Sequence, residues 1–372
     1  MILAFLTLAL CVVYSGFILW CNRGWKGILK TIKKLNSAFI TVDVIIAFRN
    51  EEQTIETLLE ALANQNYSKN NYKVVLIDDH SDDHTCDLVI EFLANHPTLK
   101  SLLLKSEGHG KKSALAQAIS CSEAEIILTT DADCIVGESW IKTMIEPFSG
   151  GEISFVAGPV VLSGGKGLFA LLQKMEMIGL TGIAGASIAN HRAMMCNGAN
   201  LCYRRSVYNL VSGYRGSEFA SGDDTQLMRK IYSEDPKQLA FIKDKNALVV
   251  SNAHSRLSDF WQQRRRWATK IPFTLSFFTV FIAIIAWFVH AALLLSFVTV
   301  WFFPENAVVF FASTLIKITV ELLFLKKVSH DLAQKINPVS IILMQPVYWL
   351  YISLIGITVP FAGYRWKGRQ VR

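Results

Sequence analysis

Hydrophobic residues are concentrated at the two ends of the chain. Residues 1–20 are almost continuously apolar, and about 20 helical residues suffice to cross the ~30 Å core of a bilayer. Three more apolar stretches follow towards the C-terminus, at residues 273–303, 307–325 and 339–361. We therefore expect an N-terminal transmembrane anchor in residues 1–21 and a C-terminal membrane region of two to three segments in residues 271–372.

Basic residues beside the apolar stretches predict the orientation of the chain. Residues 22–40 form a basic juxtamembrane linker that contains Arg23, Lys26, Lys30, Lys33 and Lys34. Because basic residues favour the cytoplasmic side, the domain after this linker is expected in the cytoplasm. The first apolar stretch lacks a basic segment before it, so a cleaved signal peptide fits it less well.

The final apolar stretch carries conflicting signals. Pro346 and Pro360 interrupt it, and it is followed by Arg365, Lys367, Arg369 and Arg372. Four complete spans would leave this basic tail outside, against the charge rule, whereas a re-entrant or interface-lying segment would not. Both alternatives stay open. In the preceding stretch, Lys317 and Glu321 are four residues apart and can pair on one helical face.

The segment between the membrane regions alternates short β-branched runs with amphipathic helices. The predicted strands are residues 42–47, 73–77, 102–104 and 126–128, and a predicted helix follows each of them. This succession predicts an α/β domain over residues 41–270, with a mostly parallel sheet covered by helices on both faces. Ligands of such sheets bind beyond the carboxyl ends of the strands.

Composition and charge narrow the choice of partner. Hydrophobic residues make up 52% of the 372 residues, and the net charge is +7. Much of the lysine and arginine lies beside the apolar ends, which favours a membrane surface over nucleic acid as the partner of these basic residues. The seven cysteines form no CxxC pair, so we expect reduced, mostly buried thiols rather than a zinc site or a disulfide framework.

Polar and acidic residues cluster where the predicted strands end. The first strand ends at Ala47 and is followed by Arg49 and Glu51, Asp78 and Asp79 follow the second strand, and Asp131 and Asp133 follow the fourth. Carboxylates gathered at one edge of a sheet repel each other, and a divalent cation can offset that cost. For Asp82 or Asp83 alone, capping of the following helix explains the acidic residue as well as a role in ligand binding does. Two carboxylates one residue apart better suit a hard cation that also holds phosphate oxygens.

Three further motifs are each weak on their own. Residues 108–112 (Gly-His-Gly-Lys-Lys) place lysines at the start of a helix, where an anion such as diphosphate is favoured. Asp223 and Asp224 open another predicted helix, whose capping would need only one acidic residue. A basic stripe with tryptophan, usually a headgroup anchor, precedes the second membrane segment and contains Gln263, Arg265, Arg266 and Trp267.

Taken together, these motifs resemble those of the membrane-bound branch of glycosyltransferase family 2, which includes cellulose, hyaluronan and poly-N-acetylglucosamine synthases and ceramide glucosyltransferase. The resemblance runs from residue 42 to about residue 269. In order, the motifs are DDxS (Asp78, Asp79, Ser81), GK with an Ala-Leu helix (Lys111, Ala114, Leu115), DxD (Asp131, Asp133), an acidic pair (Asp223, Asp224) and QxxRW (Gln263, Arg266, Trp267). Residues 197–200 also resemble the family's acceptor-side segment. The chain departs from the pattern at His80, where the family usually has glycine.

The resemblance implies a GT-A, Rossmann-like fold and an inverting transfer from a nucleotide-sugar in a single displacement. Asp131 and Asp133 would hold Mg²⁺ or Mn²⁺ on the donor diphosphate, and Asp224, paired with Asp223, would deprotonate the acceptor hydroxyl. Trp267 would stack under the acceptor. The residues implied to contact the nucleotide-sugar are Ala47, Arg49, Glu51, Asp78, Asp79, Lys111, Asp131, Gln263, Arg265, Arg266 and Trp267.

The implied partners are a UDP- or GDP-sugar, a lipid-linked or polysaccharide acceptor, and the membrane. The catalytic domain is expected at the cytoplasmic face of the inner membrane, in cell-envelope glycan or glycolipid synthesis. The donor, the acceptor and the number of sugars added stay open, although the few membrane segments favour a single addition. A catalytically inactive nucleotide-sensing or scaffold protein is the alternative from another class, and the retained acidic residues argue against it. A nucleotidyltransferase would not explain QxxRW.

Overall fold

The computed structural model describes residues 1–28, 40–215, 223–268 and 276–358, together with the backbone of two short strands near the C-terminus. The chain forms two compact units that alternate along the sequence. The first, here called the helical unit, comprises Met1–Lys26, Gly164–Ala186 and Ala253–Arg372. The second, here called the α/β unit, comprises Gly27–Ser163 and Ser187–Asn252.

The elements are numbered in chain order. The α-helices are α1 (Ile2–Gly27), α2 (Ile55–Ala63), α3 (Thr85–Asn95), α4 (Lys111–Ser120), α5 (Trp140–Ile145), α6 (Gly167–Ala189), α7 (Arg205–Leu210), α8 (Asp223–Glu234), α9 (Leu257–Ala268), α10 (Phe277–Thr299), α11 (Ala307–Asp331), α12 (Pro338–Leu343) and α13 (Gln345–Thr358). The strands are β1 (Val42–Phe48), β2 (Tyr72–Asp78), β3 (Ser101–Lys105), β4 (Ile126–Thr129), β5 (Ile135–Val136), β6 (Phe155–Ala157), β7 (Val160–Ser163), β8 (Leu201–Arg204), β9 (Leu239–Phe241), β10 (Val249–Asn252), β11 (Tyr364–Trp366) and β12 (Arg369–Val371).

The α/β unit is built on a seven-stranded sheet of order β3-β2-β1-β4-β8-β6-β9. Strands β1 to β4 pair in parallel, whereas β8 runs antiparallel to both of its neighbours. The predicted mostly parallel sheet is thus confirmed, and each of the four predicted strands is one residue longer at one or both ends. At the last rung of the β1–β2 ladder, Phe48 is in register with Asp78, which brings the first acidic motif to the edge of the sheet.

Burial explains why these runs become strands and helices. Val44, Ile45 and Ile46 of β1 are fully buried, as expected for a parallel strand covered by helices on both faces. The apolar residues of α2 that recur at helical spacing are also fully buried and belong to the same hydrophobic core: Ile55, Leu58, Leu59 and Leu62. The core holds the strand ends, and with them the acidic motifs, in fixed positions.

Four described helices are long and apolar enough to cross a bilayer: α1, α6, α10 and the stretch Pro304–Asp331 that contains α11. These helices indicate a membrane protein. The sequence analysis did not predict α6, which lies within residues 41–270 but packs in the helical unit.

The apolar stretch at residues 339–361 forms two short helices in its described part, α12 and α13. Pro346, at the second position of α13, has no N–H to continue a helical ladder from α12. The 14 residues of α13 extend about 21 Å at ~1.5 Å each, which is shorter than a bilayer core of about 30 Å. Residues 359–363, which the sequence analysis included in this stretch, lie outside the described part.

Glycines allow α6 to approach α11 closely. A Cβ atom built on Gly182 would lie 2.7 Å from Val328 Cγ2 and 2.8 Å from Phe324 Cζ. One on Gly179 would make an ordinary contact of 3.5 Å with Leu325. Small residues at such contacts are typical of helices that pack within membranes.

The predicted pair inside α11 is confirmed. Lys317 Nζ donates to Glu321 Oε2 over 2.8 Å, and Lys317 is fully buried. Gln345 also bonds both groups, and Tyr14 of α1 donates to Glu321 Oε1 over 2.8 Å. These bonds satisfy the buried charges and tie α1, α11 and α13 together.

Candidate active site

The loop at residues 108–112, which includes the first two residues of α4, contacts three of the acidic motifs. Gly110 N–H donates to Asp79 Oδ1 over 2.9 Å, Lys111 Nζ pairs with Asp131 Oδ1, and Lys112 Nζ lies 3.7 Å from Asp223 Oδ1. Carboxylates from the end of β2, the end of β4 and the start of α8 therefore lie around residues 108–112. This is the edge of the sheet where ligands of α/β folds bind.

Glycine is required twice in this loop. Gly110 has a φ of +93°, a conformation that side chains with a Cβ atom rarely adopt. A Cβ on Gly108 would lie 2.1 Å from Ser113 Oγ. The loop can therefore turn tightly and present its backbone N–H groups and the two lysines next to the acidic residues.

Asp131 and Asp133 are both partly exposed, directly after the buried strand β4. Ligand atoms of Asp131, Asp133 and Cys134 lie within 4.8 Å of one another. Burial raises the pKa of the Cys134 thiol well above its usual range, and the two aspartates raise it further. The two carboxylates remain as hard oxygen donors, which fits Mg²⁺ or Mn²⁺ better than a soft metal.

Lys111 is held as a cation by the acidic residues around it. Burial by itself would lower its pKa, but the charges of Asp131 and Asp224 outweigh this effect and raise the pKa above the ordinary lysine value. The α4 N-terminus, which also favours anions, begins at the same residue. The site thus combines a place for a divalent cation with a fixed positive charge suited to phosphate oxygens.

Asp224 is oriented by the backbone. Its Oδ2 accepts the N–H of Gly198 over 2.9 Å, and its Oδ1 accepts the N–H of Thr225 over 2.8 Å. A Cβ on Gly198 would lie 3.2 Å from Oδ2, so this glycine permits the close approach. Asp224 also raises the pKa of Cys196, after the larger effect of burial. Both carboxylate oxygens of Asp224 are therefore held by backbone N–H groups.

The end of β2 is shaped by local hydrogen bonds. Asp78 Oδ1 accepts the N–H of Ser81 over 2.9 Å, and Asp79 is 2% exposed. His80, the residue that departs from the family pattern, has a φ of +59°, which glycine would adopt at less cost. Its Nε2 lies 3.0 Å from the carbonyl oxygen of Gly108. His80 therefore keeps the backbone conformation typical of glycine, and its side chain adds a contact to the loop at residues 108–112.

Residues 43–211 match the sequence profile of glycosyl transferase family 2. They form a family 2 glycosyltransferase domain. Three curated relatives are "Probable glycosyltransferase YdaM" of Bacillus subtilis, the poly-beta-1,6-N-acetyl-D-glucosamine synthase of Staphylococcus epidermidis and the beta-monoglucosyldiacylglycerol synthase of Trichormus variabilis. Their identities to this chain are 26% over 252 residues, 24% over 230 residues and 30% over 125 residues, respectively.

These matches cover 66%, 61% and 33% of this chain, and 56%, 53% and 27% of the respective relatives. The chain thus spans about half or less of the length of these relatives. Among solved structures, the mannosyltransferase PcManGT from Pyrobaculum calidifontis, in complex with GDP-Man and Mn²⁺, superposes with a TM-score of 0.63 at 17% identity. The superposition covers 96% of this chain and 99% of that one. This likeness in fold confirms the predicted GT-A fold.

Arg49, which follows the first strand of the glycosyltransferase domain, contacts the turn that contains Asp79. Arg49 Nη1 donates to the carbonyl oxygen of Asp79 over 3.4 Å, and its Nη2 lies 3.1 Å from Asp82 Oδ2. The N–H of Glu51 donates to Thr85 Oγ1 over 2.8 Å, and Ala47 is a partly buried residue of β1. Arg49 therefore braces the turn that carries Asp79.

The QxxRW residues lie on α9, which belongs to the helical unit rather than to the α/β unit. The structure therefore groups the DDxS, GK and DxD motifs and the acidic pair within one unit, and it places Gln263, Arg265, Arg266 and Trp267 in the other. Sequence reasoning missed Arg264 between them, a buried residue whose guanidinium carbon lies 4.2 Å from the centre of the Trp267 ring. Within the sequence, the unbroken run of three arginines was the available signal.

Proposed function

We propose that the protein is an inverting, metal-dependent glycosyltransferase, which moves a sugar from a UDP- or GDP-sugar to a lipid-linked or polysaccharide acceptor at the cytoplasmic face of the inner membrane. The observation that carries this proposal is the loop at residues 108–112, which contacts one carboxylate from each of three motifs. Such an arrangement of cations and carboxylates suits a diphosphate leaving group with a bound metal ion.

The donor side of the proposed site consists of two carboxylates and a lysine. Asp131 and Asp133 would hold Mg²⁺ or Mn²⁺, which supplies positive charge to the departing diphosphate. Lys111, at the N-terminus of α4, adds a second positive charge for the phosphate oxygens. The nucleoside would lie against the turn formed by Asp78 and Asp79. Arg49, Glu51 and Ala47 would support that turn.

Asp224 is the proposed general base. As the acceptor oxygen bonds to the anomeric carbon, the bond from that carbon to the diphosphate breaks, and the acceptor proton passes to Asp224. One displacement of this kind inverts the anomeric centre. A carboxylate is a weak base for an alcohol, so the proton is lost within the transition state. The backbone N–H of Gly198 holds the Asp224 carboxylate in a fixed orientation during the proton transfer.

The QxxRW residues are assigned by the family resemblance. Arg265 or Arg266 would bind the diphosphate, with Gln263 beside them, and Trp267 would stack against the acceptor. Two relatives indicate different acceptor classes, because one is named as a polysaccharide synthase and the other as a glycolipid synthase. We propose both classes as candidates for this chain.

A donor panel tests this function. Membranes containing the protein are incubated with radiolabelled UDP-glucose, UDP-N-acetylglucosamine and GDP-mannose, and label is then separated into lipid extract and insoluble polymer. We expect one donor to label one fraction, with the label lost on chelation and restored by Mn²⁺ or Mg²⁺. Membranes with Asp224→Asn are the matched control and should stay unlabelled. Metal-independent labelling, or none from any donor, contradicts the proposal.

A further inference from the structure

A buried arginine lies in the middle of the QxxRW motif. Arg264 is 4% exposed, so it is withdrawn from solvent and does not act as a surface headgroup anchor. Its guanidinium carbon lies 4.5 Å from the centre of the Phe260 ring and 4.2 Å from that of the Trp267 ring. Its Nη1 also donates to Gln263 Oε1. Arg264 thus contacts two of the residues that define the motif.

The partner of Arg264 is an acidic residue on a mostly apolar helix. Glu176 of α6 is 7% exposed. Its Oε2 accepts Arg264 Nε–H over 2.6 Å and lies 2.6 Å from Nη2. Its Oε1 accepts the hydroxyl of Tyr351, on α13, over 2.8 Å. One carboxylate therefore joins three helices, α6, α9 and α13, all within the helical unit.

Stability alone does not call for this arrangement. The surrounding residues are apolar and include Leu172, Met175, Met344 and Ile355. Replacing a buried ion pair with apolar residues of similar volume is often neutral or stabilising, whereas removing one partner leaves an uncompensated charge. A buried ion pair that contacts motif residues is more readily explained by the orientation that it imposes. The planar guanidinium suits this role, because its donors point in fixed directions.

We propose that Glu176 and Tyr351 act through Arg264 as positioning residues, which set the rotation of α9 and thereby the orientation of Gln263 and Trp267. This inference rests on the proposed function, because it assigns the motif a part in sugar transfer. A small displacement of a positioning group can cost about 100-fold in rate. Loss of the Glu176 charge is therefore expected to act on turnover and not on folding alone.

Glu176→Gln is the test, and Glu321→Gln is its matched control. Both glutamates are buried and accept hydrogen bonds from one cation and one tyrosine in the helical unit. Glu321 also accepts a bond from Gln345, and its described contacts include no QxxRW residue. Purified variants in detergent are compared for melting temperature and for kcat with the donor that the panel identifies. We expect Glu176→Gln to lower kcat by roughly 10- to 100-fold. Glu321→Gln should keep kcat within about threefold of wild type, although its melting temperature should fall about as much as that of Glu176→Gln.

Two further variants separate positioning from general damage. Glu176→Asp keeps the charge and should recover part of kcat. Tyr351→Phe removes a single hydrogen bond and should give a smaller loss, which keeps the test informative if Glu176→Gln fails to fold. Equal losses of kcat for Glu176→Gln and Glu321→Gln, or wild-type kcat in Glu176→Gln, would overturn the inference.

Hydrogen–deuterium exchange tests the inference without any transfer reaction. We expect faster exchange of the α9 amides in Glu176→Gln than in Glu321→Gln, with unchanged exchange in β4. If the donor panel shows no transfer while α9 exchange responds as expected, the proposed function fails and the positioning of α9 stands. If transfer occurs and α9 exchange is unaffected by Glu176→Gln, the positioning role fails alone.

Discussion

Asp224→Asn is the substitution that most directly tests the catalytic assignment. Asp224 accepts two backbone N–H groups, from Gly198 over 2.9 Å and from Thr225 over 2.8 Å. Asparagine retains one carbonyl oxygen, and its NH₂ group must then face one of these donors. An unsatisfied backbone donor costs about 1–3 kcal/mol of folding stability. The variant should therefore fold, with a moderately lower melting temperature.

Asp224→Asn should also raise the activation barrier for transfer, and this effect is expected to exceed the cost in folding stability. Removing a general base typically costs ~10²–10⁴-fold, which corresponds to about 2.7–5.4 kcal/mol in the barrier. The assay measures initial rates at saturating donor, per folded enzyme, together with the affinity for UDP or GDP. Because a folding cost does not lower the rate of molecules that remain folded, the two effects are measured separately. Nucleotide affinity should change little.

Asp223→Asn is the control. Its carboxylate lies 3.7 Å from Lys112 Nζ, and both side chains are partly exposed, so the pair contributes below about 1 kcal/mol. We expect a smaller loss of rate than for Asp224→Asn. The helix-capping alternative predicts little loss for either variant, because Asn caps about as well as Asp. A rate for Asp224→Asn within about tenfold of wild type, or equal losses in both variants, would refute the assignment.

Three other predictions address the metal site, the packing and the topology. Asp133→Ala should abolish the response of transfer to added Mn²⁺ or Mg²⁺ and weaken nucleotide-sugar binding, and wild-type turnover of this variant without added metal would contradict the metal assignment. Gly182→Ala should lower the melting temperature, because its Cβ would lie 2.7 Å from Val328 and such overpacking costs about 1–3 kcal/mol. Gly179→Ala is the control and should be close to neutral, because its nearest contact would be 3.5 Å. A reporter inserted near residue 150 should be cytoplasmic and a label at Asn306 accessible from outside, and protection of Asn306 in intact cells would overturn this orientation.

Local pattern was enough to predict the first half of the α/β unit. The β-branched runs and the spacing of Ile55, Leu58, Leu59 and Leu62 gave β1 to β4 and the helices between them, because period and burial are encoded by neighbouring residues. The strand ends were predicted one residue short, since Phe48 and Asp78 extend a ladder that depends on register between strands. Helix α6 was missed, because Lys174, Glu176 and its glycines make it less apolar than the terminal stretches.

Motif order and long apolar runs are properties of the linear chain, so they were sufficient to predict the family 2 glycosyltransferase domain, the fold class and membrane helices at both ends. Tertiary structure decided which cation faces which carboxylate. The pairing of Lys111 with Asp131 and the approach of Lys112 to Asp223 depend on a turn at Gly110 and on strands brought together by the sheet. The Glu176–Arg264 ion pair joins residues 88 positions apart, on two helices of which only one bears a recognisable motif. Contacts of this kind depend on the packing of distant segments, and no local period or spacing encodes them.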